Sequence, residues 1–126
     1  MSLRPPPHRI RLSRASVYAA AMRAEIQRGN LFTVHAPASG ERFDTLIRFG
    51  GTAVERIVSS AEPGTETYDQ TQDEWVVLVS GHARLEVEGE ILDLEAGDYL
   101  SLPAHVRHRV LTTSAGAVWL AVHVGG

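Results

Sequence analysis

The sequence of 126 residues contains no cysteine and no lysine. Without cysteine there can be no disulfide framework, thiolate metal site or thiol nucleophile. Without lysine there can be no Schiff-base chemistry on a lysine amine, and all twelve basic residues are arginine. No apolar run approaches the roughly 18 residues that a membrane helix needs, and no basic start leads into a secretory signal. We therefore expect a cytoplasmic protein with no membrane partner.

The charged residues are distributed unevenly along a chain long enough for one domain. Residues 1–28 hold six arginines and one acid, a formal charge of +5. The remaining residues hold six arginines and fourteen acids, a formal charge of −8. The basic arm could contact nucleic acid, or it could pack on the acidic body of its own or a neighbouring subunit. Because an acidic body repels phosphate, we expect no nucleic-acid partner.

The basic arm contains signals for a short helix. Its triple proline, residues 5–7, favours an extended conformation. Ser13 or Ser16 can then cap a helix over residues 17–28, since a serine hydroxyl accepts from the free N–H groups of the first turn. Gly29 ends that helix. The sequence therefore predicts an N-terminal arm with a short helix over residues 1–28.

From residue 31 onward the pattern changes to short alternating segments separated by turn residues. Such spacing is typical of an antiparallel barrel or sandwich. One segment, 75–79, is apolar throughout, which predicts a strand buried on both faces. The predicted strands are 31–35, 45–49, 53–59, 75–79, 82–88, 91–94, 99–102, 106–112 and 117–124.

Two spacings carry a family resemblance. Glu74 is followed after six residues by Gly81, and Gly97 is followed after five by Pro103 and then by His108. In this order the two spacings resemble the two motifs of the cupin superfamily, and the chain is similar to small single-domain bacterial cupins. The resemblance implies an all-β fold, an antiparallel double-stranded β-helix or jelly-roll barrel, over residues 29–126. It also implies a homodimer that packs sheet against sheet.

The chain departs from the metal-binding cupins in the first motif. Those proteins hold a divalent metal with a His-x-His pair, the glutamate at the position of Glu74 and the histidine at the position of His108. Here the pair is absent. Its positions fall on Tyr68 and Gln70, or on residues 67 and 69, depending on the count back from Glu74. The position of the second-motif glycine carries His105, a residue type that tolerates a left-handed turn.

A metal site could survive these changes. Glu74 and His108 offer a carboxylate and an imidazole, and Gln70 or Asp69 can add an oxygen. If residues 113–116 form a hairpin turn, His108 lies opposite Ala121, and strand alternation puts His123 on the same inner face. This donor set suits Zn, Fe, Mn or Ni.

Glu74 has an alternative role as the partner of an arginine such as Arg84 or Arg109. A buried glutamate must be paired, metal-bound or protonated, so it marks a polar site in either case.

Two functions remain open from the sequence. In the first, the protein is a metal-dependent enzyme acting on a small polar metabolite, and Tyr68 or His105 transfers a proton. In the second, it is a metal-free binding module or accessory protein that holds a small ligand by hydrogen bonds. The missing histidine pair favours the second, whereas the expected grouping of Glu74, His105 and His108 favours the first.

Overall fold

A computed structural model describes residues 26–125, and this part of the chain contains eight strands and no helix. Most of the predicted helix, through residue 25, lies outside the described residues; residues 26–30 are in neither helix nor strand. No helix that could span a membrane occurs between residues 26 and 125. The strands are β1 (Glu41–Phe49), β2 (Thr52–Ser59), β3 (Asp73–Ser80), β4 (His82–Val87), β5 (Glu90–Glu95), β6 (Tyr99–Leu102), β7 (His108–Thr113) and β8 (Ala117–Val124).

The strands form two antiparallel sheets, in agreement with the predicted all-β fold. One sheet has five strands in the order β1-β2-β8-β3-β6, and the other has three in the order β5-β4-β7. The inner faces of the two sheets enclose the apolar core, which includes Leu78, Leu85 and Trp119.

The inner face of the five-stranded sheet changes from apolar to polar along its strands. In the β3–β8 register, Leu78 lies opposite Trp119, Val76 opposite Ala121, and Glu74 opposite His123. The first two pairs are apolar and contribute to the core. The third pair is polar and buried, so one end of the barrel contains buried polar side chains.

Two of the predicted strand features are wrong. Residues 31–35 form turns and irregular structure. In place of strand pairing, Arg56 donates hydrogen bonds to the carbonyls of Asn30 (3.3 Å) and Leu31 (3.4 Å) at the start of this segment.

Strand β3 is not buried on both faces, because Trp75 is 38% exposed on the outer face and lies against Tyr99. The apolar outer positions of β3 obscured the alternation.

The predicted pairing of β7 with β8 is also wrong. Strand β7 pairs with β4, whereas β8 pairs with β2 and β3. The turn between them carries the chain from one sheet to the other. His108 is therefore not opposite Ala121 within a hairpin. His108 and His123 still line the same cavity, because they point inward from facing sheets.

Candidate functional site

A small cavity of about 60 Å³ lies at the polar end of the barrel. One water needs roughly 10–15 Å³ measured in this way, so there is room for a few waters or a small group. The polar part of the lining consists of three carboxyls, two imidazoles, a phenol and an amide. These belong to Glu41, Glu55, Tyr68, Gln70, Glu74, His108 and His123, and the other lining residues are apolar.

His108 begins β7 and presents one particular nitrogen to the cavity. Its Nδ1 lies 3.1 Å from the carbonyl oxygen of Val106. Since a carbonyl only accepts, Nδ1 carries the proton of the neutral ring, and Nε2 is left with a lone pair. That Nε2 lies 3.6 Å from Oε1 of Glu74, and both side chains are at least nine-tenths buried.

Within residues 26–125 Glu74 has no arginine partner, and neither Arg84 nor Arg109 pairs with it as the alternative expected. Arg84 pairs with Asp93 at 2.7 Å, and Arg109 pairs with Glu86 at 3.5 Å. Oε1 of Glu74 is buried without a hydrogen-bond partner. Burial raises the pKa of this carboxyl; His123 and His108 oppose that rise, and Glu55 adds to it. The carboxyl thus lies between two imidazoles with no donor of its own.

His123, on β8, lies between two carboxylates. Its Nε2 is 2.8 Å from Oε1 of Glu55 and 3.9 Å from Oε2 of Glu74. Its Nδ1 is buried and has no partner. The predicted placement of His123 near His108 is consistent with this geometry, although the pairing used to reach it was wrong.

Tyr68 stacks on His108, with ring centroids 5.4 Å apart, and donates a hydrogen bond to Glu41 at 3.3 Å. Burial, followed by the Glu41 and Glu66 carboxylates, raises the pKa of the phenol well above its ordinary value. The phenol therefore stays protonated and acts as a donor.

Glu41 is held at its other oxygen by a directional chain. The indole N–H of Trp119 can only donate, and it donates to Oγ of Ser59 at 3.0 Å. Ser59 in turn donates to Oε2 of Glu41 at 2.6 Å. Burial raises the pKa of Glu41, while the Ser59 and Tyr68 hydrogen bonds lower it.

The structure distinguishes Gln70 from Asp69, which the motif spacing could not do. Gln70 lines the cavity, and its Oε1 is buried without a partner. Asp69 points outward, 2.8 Å from Nδ1 of His105 and 4.0 Å from Nε of Arg107. The positions of the missing histidine pair are therefore those of Tyr68 and Gln70.

His105 does not join the cavity. Its φ of 66° lies in the left-handed region, as its place at the motif glycine predicted. The side chain is 66% exposed and pairs with Asp69. The expected grouping with Glu74 and His108 does not occur, so the structure offers His105 no contact with a ligand in the cavity.

Two cavity carboxylates, Glu41 and Glu55, were missed by the motif search. Glu55 alternates with Ala53 and Ile57, so a charge lies between two apolar residues on the inward face of β2. That pattern was visible in the sequence and could have identified it. Glu41 precedes the predicted start of its strand, so strand alternation did not assign it to the inner or the outer face.

The donor set fits a divalent metal by chemistry but is not closed around one point. Within residues 26–125, no group of three or more His, Asp or Glu side chains has a metal-holding arrangement as it stands. Donors that share a metal lie roughly 3.0–3.5 Å apart, whereas the two contacts of Glu74 measure 3.6 and 3.9 Å. Two imidazoles, a carboxylate and an amide oxygen nevertheless suit a Zn- or Fe-type ion, and the orphaned oxygens of Glu74 and Gln70 are free to accept one.

Comparison with known proteins identifies the family. The cupin domain family matches residues 55–123. This chain belongs to the cupin family. No curated protein matches it. Among solved structures, this cupin is similar to a candidate mannose-6-phosphate isomerase from Ralstonia eutropha JMP134, with 44% identity and a TM-score of 0.72 over 80% of this chain and 100% of that one.

More distant cupins share the fold alone. An RmlC-like cupin from Shewanella frigidimarina is 18% identical, with a TM-score of 0.64 over 73% of this chain and 82% of that one. KdgF from Halomonas sp. is 16% identical, with a TM-score of 0.64 over 69% of this chain and 82% of that one.

Proposed function

We propose that this cupin binds a small polar metabolite through a polar group that enters the barrel cavity, beside a divalent metal ion held by Glu74 and His108. Gln70 and His123 are the adjoining donors, and the ion is Zn, Fe, Mn or Ni. The observation that carries the proposal is the contact between Nε2 of His108 and Oε1 of Glu74, two buried acceptors 3.6 Å apart. Facing lone pairs repel each other unless a positive charge lies between them.

The outer partner of His108 supports the same proposal. In metal sites the second ring nitrogen of a ligating histidine usually donates to a carbonyl or carboxylate. The Val106 carbonyl is such a partner for Nδ1 of His108. It orients the ring so that Nε2 points into the cavity.

A bound metal would polarise a ligand oxygen or activate water or dioxygen. The chain's own groups would bind and orient the ligand beside it. Tyr68 presents a neutral phenol whose single O–H is donated to Glu41. We assign Tyr68 the role of proton donor in any reaction in this cavity, and in that role it would exchange this hydrogen bond for one to the ligand.

The charge of the lining favours an uncharged polar ligand. Among the described residues that line the cavity there is no arginine, and the chain contains no lysine. The candidate isomerase from Ralstonia is named for a phosphorylated sugar. A phosphate in this cavity would meet three carboxyls and no guanidinium, so we do not extend that substrate to this chain.

A metal-free binding protein is the second candidate, favoured by the pairing of His123 with Glu55 at 2.8 Å. That contact already occupies one nitrogen that a metal would use. In this alternative Glu74 is protonated and directs its proton toward Nε2 of His108, 3.6 Å away, consistent with the burial that raises the Glu74 pKa. The cavity would then bind its ligand by hydrogen bonds alone.

Metal content distinguishes the two candidates. Protein purified without added metal or nickel resin is expected to contain near-stoichiometric metal, which is lost in Glu74→Ala and His108→Ala. His105→Ala, at an exposed site outside the cavity, is the control and should retain it. Unchanged metal in both cavity variants would contradict the proposal. So would metal-free protein whose melting temperature does not rise with added Mn, Fe, Ni or Zn.

A homodimer is also part of the proposal. Trp75 and Tyr99 form an aromatic pair on the outer face of the five-stranded sheet, with ring centroids 5.6 Å apart. They are 38% and 64% exposed. Exposed apolar groups of this kind are typical of interfaces.

A further inference from the structure

Glu55 enters the cavity from β2, a strand that carries no part of either cupin motif. Its β8 neighbours are set by register: Glu55 lies opposite Ala121, and Ala53 lies opposite His123. Glu55 is thus diagonal to His123 on the same face, within reach of a long side chain. Ala121 is fully buried and small, which leaves space above it for the Glu55–His123 contact.

The charges around His123 do not balance. Glu55 and Glu74 both face Nε2 of His123, at 2.8 and 3.9 Å. One proton on that nitrogen can serve only one of them. Nε2 of His108 cannot supply another in its neutral form, because its proton is on Nδ1. The Glu55 side chain, 24% exposed, and the Glu74 side chain, 6% exposed, therefore share a site that no described arginine lines, an arrangement that is costly unless a cation or a proton compensates it.

One further atom is available to a cation here. Oε1 of Glu74 is buried without a hydrogen-bond partner among the described residues, and its side chain is only 6% exposed. By contrast, the phenol of Tyr68, at one position of the missing histidine pair, is already used in its hydrogen bond to Glu41.

We infer that Glu55 is a direct ligand of the divalent cation, which binds against the five-stranded sheet between Glu55, Glu74 and His123. His108 reaches the cation from the facing sheet. This inference rests on the proposed metal-binding function and adds a carboxylate ligand on the side of His123, with Gln70 as the weaker of the adjoining donors. The donors then come mainly from β2, β3 and β8, with two carboxylates in place of a histidine pair.

Calorimetric titration of the full, metal-free chain with Mn²⁺ and with Zn²⁺ tests the inference. Glu55→Gln keeps the size and removes the charge, and it should weaken binding at least about tenfold. Glu86→Gln is the matched control, because Glu86 is a half-buried strand glutamate that pairs with Arg109 outside the cavity. It should bind within about twofold of the wild type. Gln70→Ala should weaken binding less than Glu55→Gln does.

A double substitution separates a ligand from a residue that only orients His123. If Glu55 acted through His123 alone, Glu55→Gln would have no further effect in a His123→Ala background. If Glu55 is a direct ligand, Glu55→Gln should weaken metal binding by a further several-fold in the His123→Ala background. The metal-free Glu55→Gln protein should melt no lower than the wild type, since the change relieves carboxylate repulsion. That result would separate lost binding from lost folding.

Different results would contradict the role of Glu55 and the proposed metal-binding function. Wild-type affinity in Glu55→Gln, with binding lost in His108→Ala, would overturn the role of Glu55 and leave the proposed function standing. A larger loss in Gln70→Ala than in Glu55→Gln would place the ion at the positions of the missing pair and also overturn it. No binding of either ion by the wild type would overturn the proposed function itself.

Discussion

Glu41 and Glu74 are buried carboxyls in one cavity, but their partners differ. Glu41 accepts hydrogen bonds from Ser59 and Tyr68 at its two oxygens. Glu74 has two imidazoles near it and no hydrogen bond at Oε1. Burial raises the pKa of both. At the scale of the residue, Glu41 is a structural acceptor, and Glu74 is the group that still needs a positive partner.

The raised pKa of Glu41 predicts a pH dependence of stability. Its folded pKa lies above the unfolded reference of 4.5, so the folded state binds the proton more tightly. The resulting stabilisation is present below the unfolded pKa and is lost as the pH rises through the folded pKa. In Glu41→Gln this contribution is absent. The wild-type free energy of unfolding should therefore fall relative to that of the variant as the pH rises above 4.5, as measured by urea denaturation.

Glu90→Gln, at the exposed first residue of β5, is the matched control for that measurement. Its profile should follow that of the wild type. An identical pH profile in Glu41→Gln and wild type would contradict the role assigned to burial.

At the scale of the element, the two motif glycines have the same left-handed backbone but different surroundings. Gly81 joins β3 to β4 with a φ of 90°, and Gly97 lies between β5 and β6 with a φ of 97°. A Cβ at Gly81 would overlap Oγ of Ser114 and lie 3.0 Å from Cβ of Ala117, whereas one at Gly97 would meet nothing within 4 Å. Ser114 also accepts the backbone N–H of His82 at 3.0 Å, so it cannot move freely.

Alanine substitutions should separate these two causes. Gly97→Ala is expected to cost about 1–2 kcal/mol of unfolding free energy, from the left-handed backbone alone. Gly81→Ala carries the same strain plus the overlap, which adds about 1–3 kcal/mol. Urea denaturation of the two variants measures the difference. Equal losses would mean that the close approach of the β7–β8 turn to Gly81 does not constrain the fold.

At the scale of the whole molecule, both sheets contribute residues to the site. The outer face of the five-stranded sheet contributes none and is exposed to solvent. The five-stranded sheet supplies Glu41, Glu55, Glu74 and His123, and the three-stranded sheet supplies His108. The outer face of β3 and β6 presents Trp75 and Tyr99 to solvent.

The proposed dimer predicts that a charge on this outer face will dissociate it. By light scattering after size exclusion, the wild type should have twice the mass of one chain. Trp75→Arg should have the mass of one, because a guanidinium cannot be buried in an apolar interface without a partner. Ile91→Arg is the control, at a 50% exposed apolar residue of β5 on the other sheet. A monomeric wild type, or dissociation by Ile91→Arg alone, would contradict the proposed interface.

The sequence by itself determined the fold and the pairing of Glu74 with His108. Alternation along each strand records which side chains face inward, and the motif spacings record where the turns lie; both are local properties of the chain. They predicted the antiparallel all-β fold. The resemblance of the spacings to the cupin motifs added the left-handed backbone of His105 and the two residues that meet across the barrel at 3.6 Å.

Only the tertiary structure decided which other side chains reach the cavity. The choice of Gln70 over Asp69, the exclusion of His105 and the presence of Glu55 depend on how strands distant in sequence lie beside one another. The turn between β7 and β8 carries the chain from one sheet to the other. The sequence therefore placed His123 on the correct inner face, but it did so from a β7–β8 pairing that does not occur. Strand parity specifies a face, whereas the neighbours on that face are set by sheet order, which no local pattern records.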